Sequence, residues 1–178
     1  MKEESKPVVL IVAFEGFQPQ EYGTTKKVLE EGGYSVVTAS TKKGAAVAKD
    51  GSTVPVDIPI KEVRAPAYDA IVFIGGPGTM PQLNNELSYT LIKSAVEHNK
   101  IVAAICIATR ILAYAGVLTD KQATGWDGDN ELAALYKDKQ VKILREDVVV
   151  DGTIITATGP TAAQDFGKAL VKALEENS

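Results

Sequence analysis

Buried strands alternating with amphipathic helices through most of the chain predict one α/β domain spanning residues 1–178. The expected architecture is a flavodoxin-like, doubly wound, mostly parallel sheet with helices on both faces. Three observations carry this. Short, unbroken apolar runs at 8–14, 70–74 and 101–105 read as strands buried on both faces, as parallel strands are. Apolar residues at helical spacing return between and after them. No repeat, linker or low-complexity stretch divides the chain.

Taken in order, VVLIVAF at 8–14 is the first parallel strand, and 15–20 is the loop at its C-terminal end, where α/β sheets bind ligands. Pro19 suits a first helical turn, Val28 and Leu29 give that helix an inward face, and Gly32-Gly33 ends it. The second strand is 35–39. Residues 47–60, with Asp50-Gly51 as the turn, read as a hairpin decorating an edge. Tyr68-Asp69 leads into the strand at 70–74, which stops in Gly75-Gly76-Pro77-Gly78, where backbone can approach a bound atom closely. An amphipathic helix follows at 87–97, with Leu87, Leu91, Ile92, Ala95 and Val96 on one face. It leads to the strand at 101–105. Then come a short strand at 122–124, the loop Gly125-Trp126-Asp127-Gly128-Asp129, a short helix at 130–136 and a strand at 141–144. Asp151-Gly152 between β-branched runs marks a hairpin over 148–157. Thr158-Gly159-Pro160-Thr161 opens the last helix, with Phe166, Leu170, Val171 and Leu174 facing the sheet.

Composition excludes several functions. The chain is 45% hydrophobic and 24% charged, with a net charge of −4 and a pI near 5.1. Its Lys and Arg residues are scattered, which leaves no basic face for nucleic acid. The longest apolar run is too short for a bilayer, which needs about 20 residues. One cysteine forms no internal disulfide, and MKEESK lacks the features of a signal peptide, so the expected compartment is the cytoplasm. No metal site and no cofactor are expected, since one His and one Cys cannot supply a zinc shell and no Walker or Rossmann pattern is present.

The chemistry centres on Cys106. It ends the strand at 101–105, and after it Ile107, Ile111, Leu112 and Ala115 recur at helical spacing until Gly116. A thiol at a strand-to-helix turn meets unpaired backbone N–H groups and the positive end of a helix dipole, both of which favour thiolate. His98 cannot serve it. It precedes the strand whose far end is Cys106, and five strand residues at roughly 3.3 Å each span about 17 Å. Carboxylates remain. Glu21 falls in the first turn of the first helix, near the ligand edge, and Glu15 competes from the same loop. Asp127 and Asp129 read as turn and helix-capping residues around Gly128, with a general base as the functional alternative. Arg110 reads as an exposed helix residue that could otherwise lower the thiol pKa or bind a carboxylate, and Thr109 has no assigned role.

YDAIVFIGGPG together with VAAICIATRILAYAGVL resembles the ThiJ/PfpI superfamily, which includes the Parkinson-disease protein deglycase, PfpI-type proteases, glyoxalases and isocyanide hydratases. By that resemblance, GFQPQEYGTTKKVL carries the family glutamate as Glu21, which when protonated donates a hydrogen bond to the Cys106 thiolate. The resemblance also implies an oxyanion hole from the N–H groups of Gly76 and Ile107. This chain departs from the family in its histidine: Ile107 stands where PfpI-type members have one, and TGWDGD contains none. The expected activity is addition of Cys106 to a small electrophilic metabolite, as in glyoxalases, deglycases or hydratases, with Asp127 or Trp126 as a possible base or substrate contact. The alternatives are a redox-sensing or stress-protective protein acting through oxidation of Cys106 and, less favoured, a cysteine peptidase. A homodimer or larger homo-oligomer is expected by the same resemblance.

Overall fold

The computed structural model describes residues 4–178. In chain order the elements are β1 (Val8–Ile11), β2 (Glu15–Phe17), α1 (Pro19–Glu31), β3 (Val36–Ser40), β4 (Gly44–Ala48), β5 (Thr53–Val56), β6 (Ile58–Pro59) and β7 (Ala70–Phe73). They continue with α2 (Thr79–Leu83), α3 (Glu86–Glu97), β8 (Ile101–Ile105), α4 (Thr109–Tyr114), β9 (Gln122–Ala123), α5 (Leu132–Asp138), β10 (Lys142–Ile143), β11 (Val148–Asp151), β12 (Ile154–Ala157) and α6 (Ala163–Glu176).

The main sheet has seven strands in the order β11-β12-β8-β7-β1-β3-β6. All neighbours are parallel except β11, which closes the edge antiparallel to β12. This is the doubly wound sheet expected from the sequence. Its central strands are fully buried because helices cover both faces. Alternate residues serve alternate layers. Val9, Ile11, Ile71, Phe73, Val102 and Ala104 pack with Leu91, Ile92, Ile111 and Leu112 of α3 and α4. Val8, Leu10, Val72 and Ile105 pack with Leu29 of α1 and Phe166, Leu170 and Leu174 of α6. Gly167 lets these two helices meet closely, since a Cβ there would lie 2.8 Å from Val28 Cβ.

The sheet explains the position of the site. From β1 the chain winds outward through β3 to β6, then crosses to the other side of β1 as β7. The strand order therefore reverses between β1 and β7, where ligand crevices form at the C-terminal strand ends. The segments after β1, β7 and β8 carry Glu21, Gly75-Gly76 and Cys106 to that edge.

Several sequence expectations need correction. The first strand pairs only to Ile11, and 15–20 is not all loop, because Glu15–Phe17 forms β2. An apolar run reports burial, not pairing, and the chain stays buried as it turns away. The hairpin around Asp50-Gly51 does form, but β4 also pairs with β2, so the hairpin makes a separate three-stranded sheet. The nearby edge of the main sheet is β6. Leu87 is not inward: the buried face of α3 runs through Ser88, Leu91, Ile92 and Ala95, and Leu87 is 44% exposed. The helix expected at 130–136 starts at Leu132, because Asn130 has a φ of +61° and cannot be helical. Among the described residues no helix is long and apolar enough to cross a membrane.

Candidate active site

Cys106 is half-buried and has a φ of +63°, a left-handed conformation that side chains other than glycine adopt at a cost. It opens a 3₁₀ turn, Cys106–Ala108, that leads into the six-residue α4. Three donors fix this turn by its carbonyl. Thr109 N–H caps onto Cys106 O, Thr109 Oγ1 donates to it at 3.1 Å, and Trp126 N–H donates at 3.3 Å. So short a helix has a weak dipole, and the specific contribution to the sulfur is the hydrogen bond from the Ile107 N–H, which lowers the thiol pKa.

Glu21 reaches the same point from α1. Pro19 stands at the first helical position, and Gln18 is the N-cap, with Oε1 accepting from Glu21 N–H at 2.9 Å. The Gln18 N–H donates to Gly75 O at 2.8 Å, and Gly75 N–H donates to Glu21 Oε1 at 2.9 Å. Gln18, Glu21 and Gly75 thus close a ring of hydrogen bonds. Gly75 also leaves the gap where the Glu21 and Cys106 side chains meet. A Cβ there would lie 2.7 Å from Glu21 Oε1 and 2.8 Å from Cys106 Cβ.

The carboxyl and the thiol lie close enough for each to shift the other's pKa. The buried Glu21 Oε2 has no hydrogen-bond partner among the described residues. Burial lifts the Glu21 pKa to about 7, against the pull of Gly75 N–H, Cys106 and the charge of Lys49. Burial, followed by the charge of Glu21, pushes the Cys106 thiol up to about 12, whereas the Ile107 N–H pulls it down. The direction that holds for the pair is upward for both groups, with burial as the first cause. Thiolate forms most readily once the proton rests on Glu21, which removes the opposing charge and supplies a donor.

The other expected residues separate from this centre. Asp127 is an ion-pair and capping residue: Oδ2 meets Arg145 Nη1 at 2.7 Å, and Oδ1 accepts from Leu132 N–H at 3.0 Å. Its pKa is lowered, first by Arg145, so the reading as a base is replaced by the capping role. Arg110 is not exposed. Only 7% of it is accessible; it grips Asp129 through both terminal nitrogens at 2.9 and 2.7 Å and donates to Trp126 O at 3.1 Å. Its guanidinium carbon lies 5.5 Å from the Trp126 ring centre. This clamp holds the Trp126 loop against the Cys106 turn. Glu15 is exposed. His98 caps the far end of α3, with Nδ1 on Ser94 O. Gly76 has a φ of +134°, and a Cβ there would collide with Gly16 O, so glycine is required.

Sequence reasoning missed three contributors. Gln18, Lys49 and the buried state of Arg110 gave no pattern to read. Lys49 lies in the β4–β5 turn, bonded through its N–H to Phe17 O, and its charge acts on both Glu21 and Cys106. Among the described residues no group of three or more His, Cys, Asp or Glu is placed to hold a metal.

Fold and site together define an α/β protein whose thiol heads a strand-to-helix turn beside a buried carboxyl. The sequence model of the DJ-1/PfpI family matches residues 6–173, and the chain belongs to that family. It is 36% identical over 174 residues to an uncharacterised protein of Methanocaldococcus jannaschii, covering 96% of this chain and 83% of that one. It is 31% identical over 171 residues to a protein of Pyrococcus abyssi named a deglycase, covering 94% and 99%. The crystal structure of a ThiJ/PfpI domain protein from Brachyspira murdochii superposes with a TM-score of 0.91 at 33% identity, covering 97% and 98%.

Proposed function

We propose that this protein is a cysteine-dependent small-molecule enzyme in which Cys106 adds to an electrophilic carbon and Glu21 moves the proton. One observation carries this reading: the Glu21 carboxyl, with a pKa near 7, meets the Cys106 thiol through the gap at Gly75. A deglycase-named relative agrees with it. The substrate class is a 2-oxoaldehyde or a related reactive carbonyl. The thiol proton passes to the carboxylate form of Glu21, which a pKa near 7 leaves populated at neutral pH, as the C–S bond forms. The carbonyl π pair becomes an oxyanion, which the N–H groups of Gly76 and Ile107 stabilise, and Glu21 then returns the proton to that oxygen. With no histidine in reach, Glu21 is the one acid–base group the step requires.

The test is turnover of methylglyoxal, glycated substrates and an isocyanide by wild type, Cys106→Ser and Glu21→Gln. Loss of wild-type turnover in Cys106→Ser supports the reading. Absence of wild-type turnover on all three sinks it.

A second reading, redox sensing, draws on the unpartnered Glu21 Oε2. Peroxide would oxidise the thiol to sulfenic and then sulfinic acid, with one peroxide reduced to water at each step, and a protonated Glu21 would donate to the new oxygen. Mass spectrometry after mild peroxide treatment tests it, and a rate no faster than that of free cysteine defeats it.

A further inference from the structure

Glu21 and the glycine loop belong to segments that have already left the main sheet. β1 ends at Ile11 and β7 at Phe73, so the strand ladder does not fix their separation. Two backbone bonds link the segments: Gly78 N–H to Gly16 O at 3.0 Å and Gln18 N–H to Gly75 O at 2.8 Å. A single side chain adds three more. Gln82, on α2, accepts from Phe14 N–H at 2.8 Å and from Glu15 N–H at 3.3 Å through Oε1, and donates from Nε2 to Glu15 O at 2.7 Å.

The chemistry of this contact is specific. Phe14 O and Glu15 are already engaged on their other side by β4, through Val47 N–H on Phe14 O and the β2–β4 pairing. On the glycine-loop side no strand lies alongside. The Gln82 amide takes that place, offering an acceptor and a donor as a neighbouring peptide unit would. Glutamate would present oxygen to the Glu15 carbonyl, and asparagine is one methylene short. There is no slack, because a Cβ on Gly78 would collide with Glu15 O and lie 2.9 Å from Gln82 Nε2.

We propose that Gln82 is a positioning residue: by pinning the Phe14–Glu15 backbone to α2, it sets the approach of Glu21 to Cys106. This rests on the reading of those two residues as the reacting pair. Gln82 touches neither of them and acts through the segment leading into α1. Loosening that segment lets water reach the pair and weakens its coupling.

The experiment is the pH dependence of iodoacetamide alkylation of Cys106 in wild type, Gln82→Met and Gln82→Glu, with melting temperatures measured alongside. Gln82→Met is expected to move the alkylation midpoint by about one pH unit toward the unperturbed thiol value of ~8.5. Its kcat should fall about tenfold with little change in KM. Gln82→Glu, which keeps the two accepting contacts, should give an intermediate midpoint. A lower melting temperature with a wild-type alkylation profile in Gln82→Met would show a purely structural role and overturn the proposal. If Gln82→Met does not fold, Gln82→Glu decides: a displaced midpoint supports the proposal and a wild-type one overturns it. Alkylation needs no substrate, so a wild type without turnover removes the functional reading but leaves this comparison valid.

Discussion

Glu21 and Cys106 meet through the space of one absent methyl group, the side chain that Gly75 lacks. Gly75 does not have a positive φ, so its backbone would accept alanine, and the requirement for glycine is one of volume. Gly75→Ala should therefore drive the two side chains apart and cost about 1–3 kcal/mol through overpacking. Denaturant unfolding measures the cost. The pH profile of Cys106 alkylation should separate from wild type in the same variant; an unchanged profile would mean the pair does not meet at this point.

The raised pKa of Glu21 has a definite sign for stability. Unfolded, the carboxyl titrates near 4.5; folded, near 7. The folded state binds the extra proton between these values, so its stability is fully present below about pH 4.5 and is lost as pH rises through 7. The loss is about 3 kcal/mol. Glu21→Gln cannot ionise and should show a smaller fall in melting temperature between pH 4.5 and 8.

The same variant tests the sulfur. Glutamine removes the charge that helps push the thiol up, so the alkylation midpoint of Cys106 should fall below the wild-type one. Glu21→Asp should weaken the contact, since its shorter side chain withdraws from Gly75 N–H. If all three proteins share one apparent thiol pKa near ~8.5, Glu21 is not the partner of Cys106.

The Arg110–Asp129 clamp makes a prediction on the acid side. Arg110 holds the Asp129 pKa down to about 2, below an ordinary value of 3.8. Its contribution is present above pH 3.8 and lost as pH falls through 2, and Asp129→Asn should lack this loss. Arg110→Met, which leaves Asp129 with only the Glu131 N–H and the Trp126 carbonyl without its donor, should cost about 2 kcal/mol at neutral pH. Trp126 is the single tryptophan, so its emission reports the loop directly, and it should shift to the red in both variants.

What could be read in the sequence follows from what leaves a periodic or local trace. Ile101–Ile105 and Ala70–Phe73 are unbroken apolar runs, and parallel strands buried on both faces make them so. Cys106 was readable because an apolar strand gives way to helical spacing at that residue, and Glu21 because the family motif marks it. Arg110 was not readable: its burial depends on Asp129, which lies across a loop and has no fixed spacing to it. Gln82 and Gln18 act through bonds to backbone distant in sequence, which leave no pattern of residue types. Leu87 shows the converse error. It fits a helical stripe by spacing, yet the helix turns Ser88 inward instead.

The left-handed backbone at Cys106 also bears on how this chain can change over time. A thiol there sits on a turn that asparagine or glycine would accept with less strain, by roughly 1 kcal/mol or more. Replacements that ease the turn delete the thiol, while the sheet beneath keeps its packing. Mutational drift under pressure for stability alone would thus remove the thiol first and the architecture last. The scaffold is biased toward descendants that fold well and no longer carry the cysteine.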